Sequence, residues 1–235
     1  MTRLPAASSP SDVKEYDQTM SEFPFRYDPA HAALIIVDVQ NDFCSPEGSL
    51  ATLTGADVSA AVDMTPRLVG LIDQARAAKV PVIFIQTIHD ETNDTPQWLN
   101  RHVGEPDGSK RGGITCRTGT WGAEFYEVAP LPGEIVVNKY RYSAFAGTNL
   151  DIVLKTLGIR SLLFTGVATE VCVESSLRDG LFAEYYVSLV EDCAATYSQE
   201  AHDASVRGVG KNFGTVVTSE YLAGVWVDEP ALVGA

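Results

Sequence analysis

A cysteine, an aspartate and a lysine stand at or just after the ends of three apolar runs, a set that offers a nucleophile, an acid/base and a cation. Leu162-Leu163-Phe164 leads into Gly166-Val167-Ala168-Thr169-Glu170-Val171-Cys172-Val173-Glu174-Ser175-Ser176. That small-residue, polar break reads as a strand stopping and a helix starting near Thr169, with Cys172 in the first helical turn. Unpaired backbone N–H groups and the positive end of the helix dipole favour a thiolate there. A free cysteine is more often plain core, so the argument rests on its companions. Ala33-Leu34-Ile35-Ile36-Val37 ends in Asp38, and Glu134-Ile135-Val136-Val137-Asn138 ends in Lys139. In a parallel sheet all strands finish on one edge, where open α/β sheets bind ligands. Cys172 would attack a carbonyl carbon, Asp38 would take and return the proton, and Lys139 would favour both anions.

The elements that must position these groups alternate along the chain. Strands are expected at Ala33–Val39, Val80–Thr87, Glu134–Lys139, Ser161–Gly166, Tyr185–Val190 and Thr215–Thr218. Most are continuous rather than alternating apolar runs, as strands covered on both faces require. Helical patterns lie between them at Met64–Lys79, Leu150–Leu157, Glu170–Ala183 and Gln199–Asn212. Repeated βα units predict a three-layer α/β/α sandwich around a six-stranded parallel sheet. The stretch from His89 to Gly122 has little periodicity and starts at the carboxyl end of the second strand. A loop so long in a compact domain is usually functional or disordered. It reads as a substrate lid carrying Trp98, Asn100, Arg117 and Trp121, and Arg141, Tyr142 and Arg117 are placed to bind a substrate carboxylate.

Composition narrows the class. The 235 residues fit one domain, 26–235, behind a loose arm over 1–25 that is rich in Ser, Pro and charge. Seventeen basic against 31 acidic residues give a formal net charge of −14. Lys110-Arg111 is the densest basic pair, so nucleic acid is not an expected partner. No apolar run reaches the roughly 20 residues of a membrane span, and the N-terminal stretch has no secretory h-region. Cysteines 44, 116, 172 and 193 have no paired-motif spacing. Reduced thiols in the cytoplasm are the expectation. A phosphatase built on Asp38 would need a second Asp two residues on, where Gln40 stands.

Asp38 in Ile-Ile-Val-Asp-Val-Gln-Asn-Asp-Phe, Lys139 in Val-Val-Asn-Lys-Tyr-Arg-Tyr-Ser-Ala-Phe and Cys172 in Gly-Val-Ala-Thr-Glu-Val-Cys-Val-Glu-Ser resemble the isochorismatase-like cysteine hydrolases. The likeness runs from about Ala32 to Tyr221 and is strongest to the ureidoacrylate and N-carbamoylsarcosine amidohydrolase branch. Glu170 stands where the resemblance to the ureidoacrylate amidohydrolases implies Asn. The resemblance implies a catalytic Asp38, Lys139 and Cys172, a covalent thioester intermediate, and an oxyanion hole of the Ala168 and Cys172 backbone N–H groups. It also implies a non-proline cis bond between Val167 and Ala168. The nicotinamidases of this superfamily carry an Asp-x-His and a further His after the second strand. Here His89-Asp90 is followed only by His102, with His31 and His202 far off, so no metal and no cofactor are expected. The expected partners are a small amide or ureido substrate and further copies of the chain, as a homodimer or homotetramer, with the apolar Tyr221–Trp226 offering adhesive surface. A biuret or N-carbamoyl amidohydrolase is the near alternative. A non-catalytic binding or scaffold subunit of the same fold is the alternative from another class.

Overall fold

The structure, a computed structural model, describes residues 24–101 and 114–228. The arm over 1–25, apart from its last two residues, lies outside them, as do His102, Lys110-Arg111 and the middle of the expected lid. Six strands form one sheet: β1 (Ala32–Val37), β2 (Val82–Thr87), β3 (Ile135–Lys139), β4 (Ser161–Val167), β5 (Tyr186–Ala195) and β6 (Thr215–Val217). Their order is β3-β2-β1-β4-β5-β6, and every neighbouring pair is parallel. The described helices are α1 (Asn41–Cys44), α2 (Ser49–Thr54), α3 (Ser59–Ala77), α4 (Pro96–Leu99), α5 (Leu150–Thr156), α6 (Glu174–Phe182), α7 (Gln199–Asn212) and α8 (Ser219–Asp228).

Strand β1 explains the three layers. Ala32, Leu34 and Ile36 join one core with Leu68 and Leu71 of α3 and Leu222 of α8. Ala33, Ile35 and Val37 join another with Leu154 of α5, Leu177 of α6 and Val209 of α7. All six strand residues are fully buried, so both faces of the sheet need helical cover and alternation disappears from the sequence. The fold is the three-layer sandwich that the alternating pattern predicts.

Several boundaries differ from expectation for physical reasons. Helix α3 starts at Ser59 rather than Met64 and runs through Pro66. Tertiary packing of Ala61, Met64 and Leu68 carries it past the hydrogen bond that proline cannot make. Strand β5 continues to Ala195 through the polar Glu191-Asp192, and its register against β4 shifts between Phe164 and Gly166. Gly166 has φ +100°, and a Cβ there would lie 2.0 Å from the Val37 carbonyl oxygen. Only glycine lets β4 approach β1 this closely. The expected helix Glu170–Ala183 divides into a π-helical turn over Thr169–Val173 and then α6. Segment Tyr221–Trp226 does not offer a free apolar surface. Leu222 and Trp226 are buried, and Trp226 Nε1 donates to the Tyr27 carbonyl at 2.9 Å. This segment packs on its own sheet.

Candidate active site

Four strands adjacent in the sheet each deliver one polar side chain to the same carboxyl-terminal edge. Asp38 follows β1, Thr87 ends β2, Lys139 ends β3, and Cys172 lies in the turn after β4. Thr87 and Lys139 are register partners on neighbouring strands. The Lys139 Nζ is 2.8 Å from Asp38 Oδ2, 3.5 Å from Cys172 Sγ, and donates to the Arg141 carbonyl at 2.9 Å. Thr87 Oγ1 donates to Asp38 Oδ1 at 2.9 Å. The Oδ2 contact is a close ion pair without an aligned hydrogen bond, so that oxygen keeps a lone pair for another proton.

The backbone around these groups is held from the sequence just after Asp38, which itself sits at φ +53°, a region Asp tolerates. Gln40 is fully buried and sews β1 to β2. Its Nε2 donates to the Thr87 and Ala123 carbonyls, and its Oε1 accepts the Thr87 N–H, each at 2.8 Å. Asn41 Nδ2 donates to the Trp121 carbonyl, while Asp42 accepts the Cys116 and Ser49 N–H groups. A Cβ on Gly122 would lie 2.2 Å from the Asp42 carboxylate, which is why the chain returns through glycine. On the other side, Ser176 Oγ donates to the Cys172 carbonyl and accepts the Ala144 N–H. The Val173 N–H reaches back five residues to the Ala168 carbonyl at 3.2 Å, giving the π-helical turn. The Val167–Ala168 peptide bond is cis.

Burial controls the electrostatics. It pushes the Cys172 thiol up to about 12; Lys139 opposes that shift and Asp38 adds to it. The thiolate expected from helix placement alone is therefore not the resting form. Burial also works against the Lys139 ammonium, but the facing Asp38 and Cys172 outweigh it and hold its pKa above the ordinary value. A carboxylate, an ammonium and a thiol so close together and largely buried can exchange a proton with little reorganisation.

The group opens into a cavity of about 420 Å³. Trp98 and Arg101 of the lid, with Arg141 and Tyr142 beyond β3, supply part of its wall, and Ala168, Glu170 and Cys172 another part. The Arg101 guanidinium lies 3.6 Å from the Trp98 ring centroid and donates through Nε to Tyr142 Oη at 2.9 Å. Arg141 lies 5.0 Å from the same ring and donates to the Asn93 and Tyr140 carbonyls. Among the described residues neither cation is paired with a carboxylate, and no group of three or more His, Cys, Asp or Glu side chains is placed to hold a metal ion.

The model of the isochorismatase domain matches residues 32–221. The chain belongs to the isochorismatase family. Ureidoacrylate amidohydrolase RutB of Caulobacter segnis is 36% identical over 214 residues, covering 86% of this chain and 89% of that protein. The protein of the same name from Agrobacterium fabrum is 37% identical over 86% of this chain and 92% of its own. Among solved structures, a cysteine hydrolase from Pseudomonas syringae pv. phaseolicola superposes with TM-score 0.74 at 27% identity, over 85% of this chain and 93% of that one. N-carbamoylsarcosine amidase from Thermoplasma acidophilum gives 0.65 at 28% identity, over 81% and 97%.

On this isochorismatase-family scaffold, Asp38, Lys139, Cys172, Ala168, Trp98, Arg141 and Tyr142 come to one cavity. Asn100, Arg117 and Trp121 do not line it. Asn100 is exposed and caps α4, with its Nδ2 on the Pro96 carbonyl. Arg117 is neutralised by Asp94, which also contacts His89 Nδ1 at 3.0 Å. Trp121 is 48% exposed, and the segment uses its carbonyl rather than its ring. Backbone pairing of Arg117 beside His89 brings the end of this segment back against its start. The sequence reading missed Arg101, Thr87 and Glu170 as cavity residues. Thr87 was findable as the last residue of β2 on the active edge, and Glu170 as a departure from the expected Asn. Arg101 carried no pattern of its own.

Proposed function

We propose that this family member is a cysteine-dependent amidohydrolase, cleaving a C–N bond in a small linear ureido or amide substrate that bears a carboxylate, with a ureidoacrylate-type compound as the first choice. The observation carrying this reading is the contact set of Lys139 Nζ with Asp38 Oδ2 and Cys172 Sγ, buried at the floor of the cavity. Cys172 Sγ attacks the carbonyl carbon as its proton passes to Asp38 Oδ2, and Lys139 offsets the negative charge that moves between them. The carbonyl oxygen gains charge against the N–H groups of Ala168 and Cys172; among the described residues no acceptor takes the Ala168 N–H. The C–N bond then breaks, the proton held by Asp38 goes to the leaving nitrogen, and an acyl thioester remains (a thiocarbamate when a ureido group is cleaved). Water attacks that carbonyl, the C–S bond breaks, and the thiol is restored.

Support for an anionic substrate comes from Arg101 and Arg141, two guanidinium groups on the cavity wall with no carboxylate partner among the described residues. The names of the relatives agree with the ureido part of the reading. An ammonia-release screen over ureidoacrylate, biuret, N-carbamoyl amino acids, maleamate and nicotinamide tests it. Release from a ureido acid, abolished in Cys172→Ala, is the expected result; no release from any of them removes the reading. A homodimer or homotetramer in the cytoplasm belongs to the same proposal, and light scattering at micromolar concentration tests the assembly.

A further inference from the structure

Among the described residues, two buried polar atoms of cavity-lining residues have neither a hydrogen-bond partner nor an ion pair, and they are of opposite character. Trp98 Nε1 is a donor without an acceptor, and Glu170 Oε2 is an acceptor without a donor. The donor fits the cationic wall made by Arg101 and Arg141. The acceptor lies two residues before Cys172, in the same π-helical turn. Its other oxygen, Oε1, accepts from Thr196 Oγ1 at 2.9 Å, and the neighbouring Thr169 is held by His202 Nδ1 at 2.9 Å. Glu170 is thus anchored by one oxygen, while the proton transfers of the hydrolysis already have Asp38. A buried carboxylate oxygen without a donor is unfavourable until water or a ligand completes it.

We propose that Glu170 is a substrate-binding residue whose Oε2 accepts an N–H from the ureido or amide nitrogen of the bound substrate. The proposal rests on the amidohydrolase reading and deepens it. A ureido group presents one carbonyl oxygen and N–H groups on both nitrogens. Its oxygen is served by backbone donors, so its nitrogens need an acceptor, and Glu170 Oε2 is the cavity acceptor left with neither a donor nor an ion pair among the described residues. An ester of the same acid presents lone pairs where the amide presents N–H, and a carboxylate repels them. Glu170 therefore selects N–H-bearing amides and ureas over esters, and the substrate lies with its anionic group against the guanidinium wall.

The test compares two substrates in four proteins. One substrate is the compound that the wild type hydrolyses fastest in the ammonia screen; the other is its analogue with oxygen in place of the N–H group. Wild type, Glu170→Met, Glu170→Gln and Thr196→Val are measured by steady-state kinetics. Glu170→Met is expected to lower kcat/KM on the N–H substrate by about 10- to 100-fold, chiefly through KM, and to leave the oxygen analogue within about 3-fold. Glu170→Gln, isosteric and still an acceptor, is expected to lose roughly 3- to 10-fold on the N–H substrate alone. It carries the comparison if the methionine variant does not fold. Thr196→Val, which removes only the Oε1 anchor, stays closer to wild type. Equal losses on both substrates, or no loss on either, overturn the role given to Glu170 while leaving the amidohydrolase intact. Absence of any hydrolysis by the wild type overturns the amidohydrolase reading first, and this proposal with it.

Discussion

The Lys139 ammonium stands 2.8 Å from the Asp38 carboxylate, and both side chains are all but sealed from water. Removing either partner leaves an uncompensated buried charge. Cys172 Sγ lies 3.5 Å from the same ammonium, and in the proposed mechanism it draws its reactivity from that pair rather than from a helix end.

The three substitutions at this centre separate roles. Cys172→Ala is expected to abolish turnover. Asp38→Asn, unable to accept the thiol proton, loses about 100-fold or more in kcat while still binding substrate. Lys139→Ala loses a comparable factor and also destabilises the fold, because Asp38 is left buried and alone. Steady-state kinetics with thermal melting check all three.

Alkylation of Cys172 follows from its pKa, which burial raises to about 12. Below that value the thiolate fraction grows about tenfold per pH unit. The iodoacetamide rate at Cys172 should therefore rise steadily from pH 7 to 10 without a plateau. Asp38 raises this pKa and Lys139 lowers it, so Asp38→Asn alkylates faster and Lys139→Ala more slowly. Turnover falls in both. Site-resolved mass spectrometry reads the rates, and a plateau near pH 8 would contradict the burial argument.

The proposed anionic substrate gives Arg101 a part in binding it. Arg101→Ala should raise KM for a ureido acid by about 10-fold or more, the worth of one charge-assisted hydrogen bond. The matching neutral amide should change by less than about 3-fold. A parallel loss on both would assign Arg101 to stacking on Trp98 and Tyr142 alone.

Gly166 is a stability determinant at the edge of the site. With φ +100° and the Val37 oxygen 2.0 Å from the position of a Cβ, Gly166→Ala forces β4 away from β1. A loss of roughly 2 kcal/mol or more is expected in urea denaturation. Because Asp38 and Cys172 follow these two strands, kcat falls with stability.

The alternation of apolar runs and helical stretches was legible in the sequence, since burial on both faces makes strands such as Ala32–Val37 uniformly apolar. Asp38, Lys139 and Cys172 were legible too, because the end of a parallel strand is a position that sequence marks directly. The family followed from the same three motifs. The opposing pulls of Lys139 and Asp38 on Cys172 were legible as well, whereas burial, the largest influence on its pKa, depends on packing that no local pattern encodes. Tertiary structure also decided which lid residues reach the cavity. Asn100, Arg117 and Trp121 are as polar or aromatic as Trp98 and Arg101, but Arg117 pairs with Asp94, Asn100 caps α4 and Trp121 is half exposed, so none of the three lines the cavity. Side-chain type is local, whereas the direction in which an irregular segment presents its side chains is fixed only by long-range contacts such as Asp42 with Cys116.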